Sequence, residues 1–271
     1  MALKRSLSLD CLTLPDVAPV DLIRVASEAG YGSISLWVQP PAMFEAMQAT
    51  ASMRGDLAQA LTDHGVTVGN LEVFNLNTDD PIAAFEPAVA FGAALGARTA
   101  TAIDFGSPRP DIAERFAAFH DLCAAHAILA MVEPISMGNV RTPQDGLDLS
   151  RAAGVDGKLV IDCLHLVRTG GTPESLAAVA PDRVGHVQIC DGPAVIADED
   201  LGLEATANRL YPGEGDFPLA EILAAVPVGA TLGLEVPNVS RLERGVPPQD
   251  RAREAFLSAM AVLDQVGGGG Q

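Results

Sequence analysis

Three carboxylates and an amide stand at the ends of apolar runs. Glu133 lies in AILAMVEP, Asp162 closes KLVID, Gln188 lies in VGHVQICD and Glu235 lies in ATLGLEVP. A carboxylate at the end of a buried strand costs several kcal/mol in lost hydration unless a partner offsets it. Three of them within a few ångströms cannot all stay ionised without a cation between them. Together they predict a site for one divalent ion. All-oxygen ligation suits Mg2+ or Mn2+, whereas a histidine ligand would tilt the choice toward Zn2+ or Co2+. The histidine in question is His186, which shares a strand face with Gln188 and Cys190 because strand side chains alternate. It lies two residues deeper, about 6–7 Å down the strand. Gln188 is therefore the expected ligand, and His186 is expected to pack inside.

Such residues need a frame that gathers strand ends, and the chain alternates strand-like and helix-like segments throughout. The strands are predicted at Ser6–Leu12, Gly32–Val38, Val66–Phe74, Thr99–Phe105, Ala127–Glu133, Lys158–Asp162, Val184–Cys190 and Ala230–Val236. Helices are predicted at Pro19–Ala29, Met43–His64 (broken near Gly55), Pro81–Leu95, Asp111–His126, Thr142–Ala153, Thr172–Val179, Pro218–Ala225 and Pro248–Val266. Gly30 follows the first helix where a C-cap glycine belongs, and Thr142-Pro143 and Thr172-Pro173 offer an N-cap followed by proline. The strands are mostly continuous apolar runs, as in a parallel sheet covered on both faces. Eight repeats in 271 residues favour an α/β fold of the (β/α)8 TIM-barrel type in a single domain. An open doubly wound sheet would want a glycine-rich phosphate turn, and neither GxGxxG nor GxxxxGK[ST] occurs. The longest irregular piece, Asp191–Asp216, sits where barrel enzymes build a lid. The barrel is assigned to 1–266 and a flexible tail to 267–271.

Apolar residues make up 48% of the chain and charged ones 19%, enough for a sizeable core. No run of about 18 apolar residues suggests a membrane span. The opening MALKRSLSLD has no apolar stretch of the signal-peptide kind. A net charge of −18 excludes nucleic acid as the expected partner, since phosphate binding needs a basic face. The four cysteines (Cys11, Cys123, Cys163, Cys190) are scattered without a CxxC pair and read as reduced cytoplasmic thiols. His64, His120 and His126 fall on helices of the outer ring. Trp37, at the end of the second strand, suits either stacking on a sugar face or core packing. Arg209, and also Arg141, could bind a substrate carboxylate or phosphate, with plain surface placement the alternative for Arg141.

The motifs EPISMGNVRT, IDCLHLVRTG, HVQICDGP, RLYPGEGDFPL and LGLEVPN resemble the xylose-isomerase-like TIM barrels, a superfamily of sugar and keto-acid isomerases, epimerases and dehydratases. The resemblance covers essentially the whole chain. It implies one divalent metal held by Glu133, Asp162, Gln188 and Glu235, with Mn2+ or Mg2+ first and Co2+ or Zn2+ as alternatives. It also implies that His165, in a DxxH pattern with Asp162, hydrogen-bonds a substrate oxygen. Glutamine at position 188, where many members have HxH, is similar to the hydroxypyruvate isomerase and 3-dehydroshikimate dehydratase branches. The implied chemistry is proton transfer beside a carbonyl through an enediolate, with Glu133 and Glu235 as the two bases. The expected substrate is a ketose, a sugar phosphate or a hydroxy-keto acid, and the protein is expected to work in the cytoplasm, with a homodimer common among similar proteins. The alternatives are a metal-dependent dehydratase and, from another class, a barrel that binds without turnover. An endonuclease-type barrel of the same superfamily would need more strand-end histidines and a basic face.

Overall fold

The computed structural model describes residues 7–268 of the chain. Eight strands, all parallel and in sequence order, close on themselves: β1 (Leu7–Leu9), β2 (Ser33–Trp37), β3 (Thr67–Asn75), β4 (Thr99–Ile103), β5 (Leu129–Val132), β6 (Lys158–Asp162), β7 (Val184–Ile189) and β8 (Thr231–Leu234). β1 pairs with β8 and so shuts the barrel. This is the (β/α)8 TIM barrel that the alternation predicts, in one domain. Every predicted strand has its counterpart, with ends shifted by up to three residues. Glu133 and Glu235 consequently sit one residue beyond their strands. Ser6, the predicted start of the first strand, lies outside the described residues, as do 269–271 of the predicted tail.

Local chemistry explains the helices. α1 (Pro19–Ala29) begins with proline and ends on Gly30 at φ 106, a left-handed conformation that costs glycine little. α2 (Arg54–His64), α3 (Glu86–Ala94) and α4 (Ile112–Ala125) follow in the outer ring. α5 (Pro143–Ala153) carries a complete capping box between Thr142 and Asp145. α6 (Cys163–Arg168) comes next, and α7 (Pro173–Ala177) repeats the capping box with Thr172 and Ser175. The ring is completed by α8 (Leu201–Ala207), α9 (Leu219–Ala225), α10 (Val239–Glu243) and α11 (Pro248–Gly268).

Three expectations need correction. The predicted helix Met43–His64 is two 3-10 turns, Ala42–Met47 and Ala51–Met53, followed by α2. It breaks at 48–50, not at Gly55, because Gln48 donates to the Val38 carbonyl and the Ala49 N–H to Trp37, drawing the chain back to β2. Gly55 lies inside α2. The stretch Asp191–Asp216 is not irregular throughout: it contains α8 and is stitched by bridges Asp191↔Leu210 and Asn208↔Asn238. Finally, α11 runs through Gly268, past the predicted tail boundary.

The barrel interior holds polar side chains beneath the site. Ser35, Asn70 and Thr101 are almost fully buried and hydrogen-bond one another or Glu72. Among the described residues no helix is long and apolar enough to cross a membrane. All four cysteines are buried and free.

Candidate active site

Strand register brings the predicted ligands together. Asp162 pairs with Gln188 across β6–β7, and Gln188 pairs with Gly233, two residues before Glu235. All four are buried: Glu133 is 8% exposed, Asp162 and Gln188 1%, and Glu235 6%. Asp162 also caps α6, accepting the Leu164 N–H at 2.7 Å. Gln188 Nε2 donates to Glu235 Oε1 at 2.9 Å. His186 points deeper, its Nε2 3.0 Å from Asp10 Oδ2 and its Nδ1 2.7 Å from Thr231 Oγ1.

Arg209 sits among these acids. Its guanidinium donates to Asp162 Oδ2 at 2.6 Å, to the Glu235 carbonyl at 3.2 Å and to the Ala205 carbonyl at 3.0 Å. A further nitrogen lies 2.9 Å from Glu235 Oε2. The residue is 1% exposed. In this position Arg209 partly neutralises two carboxylates. Trp37 is buried in the wall and stacks on Phe44, with ring centroids 4.6 Å apart. Arg141 is exposed, and its backbone N–H joins the α5 capping network through Asp145.

The electrostatics separate the acids. Burial raises Asp162, but Arg209 and then His165 outweigh it and hold its pKa below the ordinary value. Burial lifts Glu235 well above a normal glutamate, with Asp162 adding to burial and Arg209 opposing it. Glu133 is likewise raised, first by burial and then by Asp162. Burial lowers His165 to about 4 against the pull of Asp162, so its ring is neutral near pH 7. The Ser136 N–H donates to His165 Nδ1 at 3.3 Å, which makes that nitrogen an acceptor and places the ring proton on Nε2. Below this layer burial, followed by the charge of Asp10, pushes Glu72 up to about 7.

The donor set fits a cation. One ligand atom each from Glu133, Asp162 and His165 falls within 4.8 Å of the others. Gln188 Oε1 is buried with no hydrogen-bond partner, an arrangement that costs about 1–3 kcal/mol unless something fills it. Glu133, Asp162 and Gln188 thus offer oxygen donors to one ion, with His165 adjacent and the Glu235 carboxylate held beside Gln188 by Gln188 and Arg209.

Sequence reasoning missed several supports. Ser136 Oγ lies 3.0 Å from His165 Nδ1. Asp191 accepts backbone N–H groups from Gly192, Gly213, Gly215 and Phe217 at 2.8–3.0 Å, folding PGEGDF over the rim. Arg168 and Glu204 form a buried pair at 2.5 Å that ties α8 to α6. The Asp-Gly turn at 191–192 was a visible signal, but the identity of its donors was not.

A cleft of about 550 Å3 opens at the C-terminal ends of β2 to β5, lined there by Gln39, Asn75, Phe105 and Ile135. Met43, Phe44, Phe105, Ile135 and Met137 are among its lining residues. Val73 and Ile135, which also line it, follow Glu72 and Glu133 by one and two residues.

A family model described as xylose isomerase-like TIM barrel matches residues 23–261. The chain belongs to that family. No curated protein matches the sequence. Among solved structures, this xylose isomerase-like barrel is similar to a xylose isomerase domain protein from Alicyclobacillus acidocaldarius subsp. acidocaldarius. The identity is 19% and the TM-score 0.77, covering 97% of this chain and 99% of that one. The IolI protein, solved with a zinc atom, gives 18% identity and a TM-score of 0.74, covering 97% and 98%. A fusion of a xylose isomerase-like TIM barrel with 4-hydroxyphenylpyruvate dioxygenase gives 18% identity and a TM-score of 0.82. The match to the fusion covers 97% of this chain but only 43% of the fusion's length. At such identities these likenesses show the fold alone.

Proposed function

We propose that the chain is a divalent-metal-dependent isomerase or epimerase that moves a proton beside the carbonyl of a ketose, sugar phosphate or hydroxy-keto acid. Solved structures of the same fold include an L-ribulose 3-epimerase, a D-psicose 3-epimerase and a probable 3-DHS dehydratase, which supports an enzymatic reading. The observation that carries the reading is the pair Glu133 and Glu235. Both are buried acids with raised pKa, delivered by strands on either side of β6 and β7. Two carboxylates placed on either side of one site can act as the acid–base pair that a proton transfer needs.

Glu133, Asp162, Gln188 and Glu235 are the proposed ligands, with His165 beside them. A bound Mn2+ or Mg2+, or alternatively Co2+ or Zn2+, supplies positive charge where the enediolate oxygen develops. His165 donates from Nε2 to a substrate oxygen, with Ser136 holding its ring. One of Glu133 and Glu235 removes the C–H proton as a carboxylate, the other returns a proton to the resulting enediolate as a carboxylic acid, and Arg209 fixes the position of Glu235 and keeps Asp162 ionised. A metal-dependent dehydratase acting on dehydroshikimate is the second reading, in which one carboxylate would take the proton while the other assists the loss of water.

The test is Glu235→Gln in the metal-supplemented enzyme. It keeps the shape of the side chain and removes the base, so turnover is expected to fall by a factor of about 10²–10⁴ while the fold is retained by circular dichroism. An unchanged rate would rule out the acid–base role.

A further inference from the structure

The cleft at the ends of β2 to β5 has a chemistry of its own. Among the described residues no lysine or arginine lines it. The nearest cations are used elsewhere: Arg109 donates to the Thr78 carbonyl and Asp111, and Arg115 donates to the carbonyls of Leu76 and Asp80. Arg209 below is saturated by two carboxylates. Asp80 lines the cleft and the chain carries −18 overall, so a phosphate or carboxylate placed there would meet repulsion with no partner.

The polar groups of the wall are also mostly used. Asn75 is bonded to the Phe105 backbone, Asn77 to Asp104 and Ser107, and Thr206 to Gly202. Gln39 and Asp80 alone among the lining polar side chains make no hydrogen bond within the described chain. A bare polyol with many hydroxyls would leave most of them unpaired. By contrast, Met43, Phe105 and Met137 are large, exposed and apolar at 72%, 48% and 36%. They face the cleft with Phe44 and Ile135. Its volume of about 550 Å3 suits more than a small sugar, within the roughly 300–1,000 Å3 of sites for drug-sized ligands.

We propose that the substrate is an uncharged hydroxycarbonyl compound bearing an apolar alkyl or aryl arm. This rests on the proton-transfer reading of Glu133 and Glu235 and narrows it. The hydroxycarbonyl end lies at the carboxylates, and the arm lies along Met43, Phe44, Phe105, Ile135 and Met137.

The test uses the full chain with Mn2+ and a series of 1-hydroxy-2-alkanones of growing length, each longer member paired with its terminal phosphate ester. Trp37 is the chain's one tryptophan and stacks on Phe44, so its fluorescence reports occupation of the cleft without turnover. Exchange of substrate C–H for deuterium reports chemistry in the same samples. Affinity is expected to rise about fourfold per methylene, the equivalent of about 0.8 kcal/mol, until the cleft is full. Each phosphate ester is expected to bind at least tenfold more weakly than its neutral partner. Phe105→Ser should make the dependence on length shallower. A flat length series, or tighter binding of the phosphate esters, overturns the proposal even if exchange is seen. Length-dependent binding of the neutral series without exchange upholds the apolar arm and instead refutes proton transfer.

Discussion

Glu204 anchors the segment between β7 and β8, and its replacement by alanine should unfasten that segment. Its carboxylate meets Arg168 at 2.5 and 2.7 Å, with the two side chains 5% and 6% exposed. Arg168 also donates to the Pro193 carbonyl at 2.8 Å and lies 5.0 Å over the Phe217 ring. One guanidinium therefore gathers three parts of the stretch between β7 and β8. Removing its anion leaves a buried, unpaired charge, which costs about 3–5 kcal/mol. For a chain of this size about 2 °C is lost per kcal/mol, so a fall of roughly 6–10 °C in Tm is expected. Arg209 should loosen as well, because its Nε is held by the carbonyl of Ala205 in the same helix. A melting curve for Glu204→Ala, Arg168→Met and the Arg168→Met/Glu204→Leu double variant checks the reasoning. The double variant should recover most of the loss, since two apolar partners leave no buried charge. A shift below 2 °C for Glu204→Ala, or strict additivity in the double variant, would refute it.

Two glycines and a buried acid give further outcomes. A Cβ at Gly215 would stand 2.4 Å from both Asp191 Oδ1 and the Gly192 carbonyl, whereas one at Gly202 meets only Met137 Sδ at 3.9 Å. Gly215→Ala is expected to destabilise by about 1–3 kcal/mol or more. Gly202→Ala, inside α8, should stabilise by about 0.5–1 kcal/mol, and urea unfolding that gives both the same sign would contradict this. Glu72 titrates at about 7 in the fold against 4.5 ordinarily. The folded state thus binds the extra proton, and its contribution is full below about pH 4.5 and lost as pH rises through about 7. The loss is on the order of 3 kcal/mol. Glu72→Gln should flatten the decline in stability between pH 5 and 8 by that order, and identical slopes for the two proteins would dismiss the assignment.

The sequence showed the barrel because its signals are local and repeated: apolar runs at strand length, Thr-Pro caps, and glycine at Gly30. The four strand-end residues were visible for the same reason, since a carboxylate closing an apolar run is conspicuous. Arg209 was visible as a charge, but its direction was not. It turns inward because Asp162 and Glu235, 47 and 26 residues away in sequence, converge on it. The short helices α6, α8 and α10 span at most seven residues, too few to show a period. Asp198–Glu204 is an acidic stretch in the sequence, and nothing in its spacing marks its last member as the buried partner of Arg168. Long-range pairs of this kind leave no spacing to read.

Proton transfer beside a carbonyl is the chemistry on which the roles of Glu133 and Glu235 depend. The direct measurement is nuclear magnetic resonance of candidate hydroxycarbonyl substrates in D2O with the purified chain and Mn2+, alongside the same sample after chelation. Deuterium should enter the carbon next to the carbonyl with Mn2+ present, and both chelation and Glu235→Gln should abolish its entry. Absence of exchange across the whole panel, with Mn2+ shown to be bound, would contradict the account.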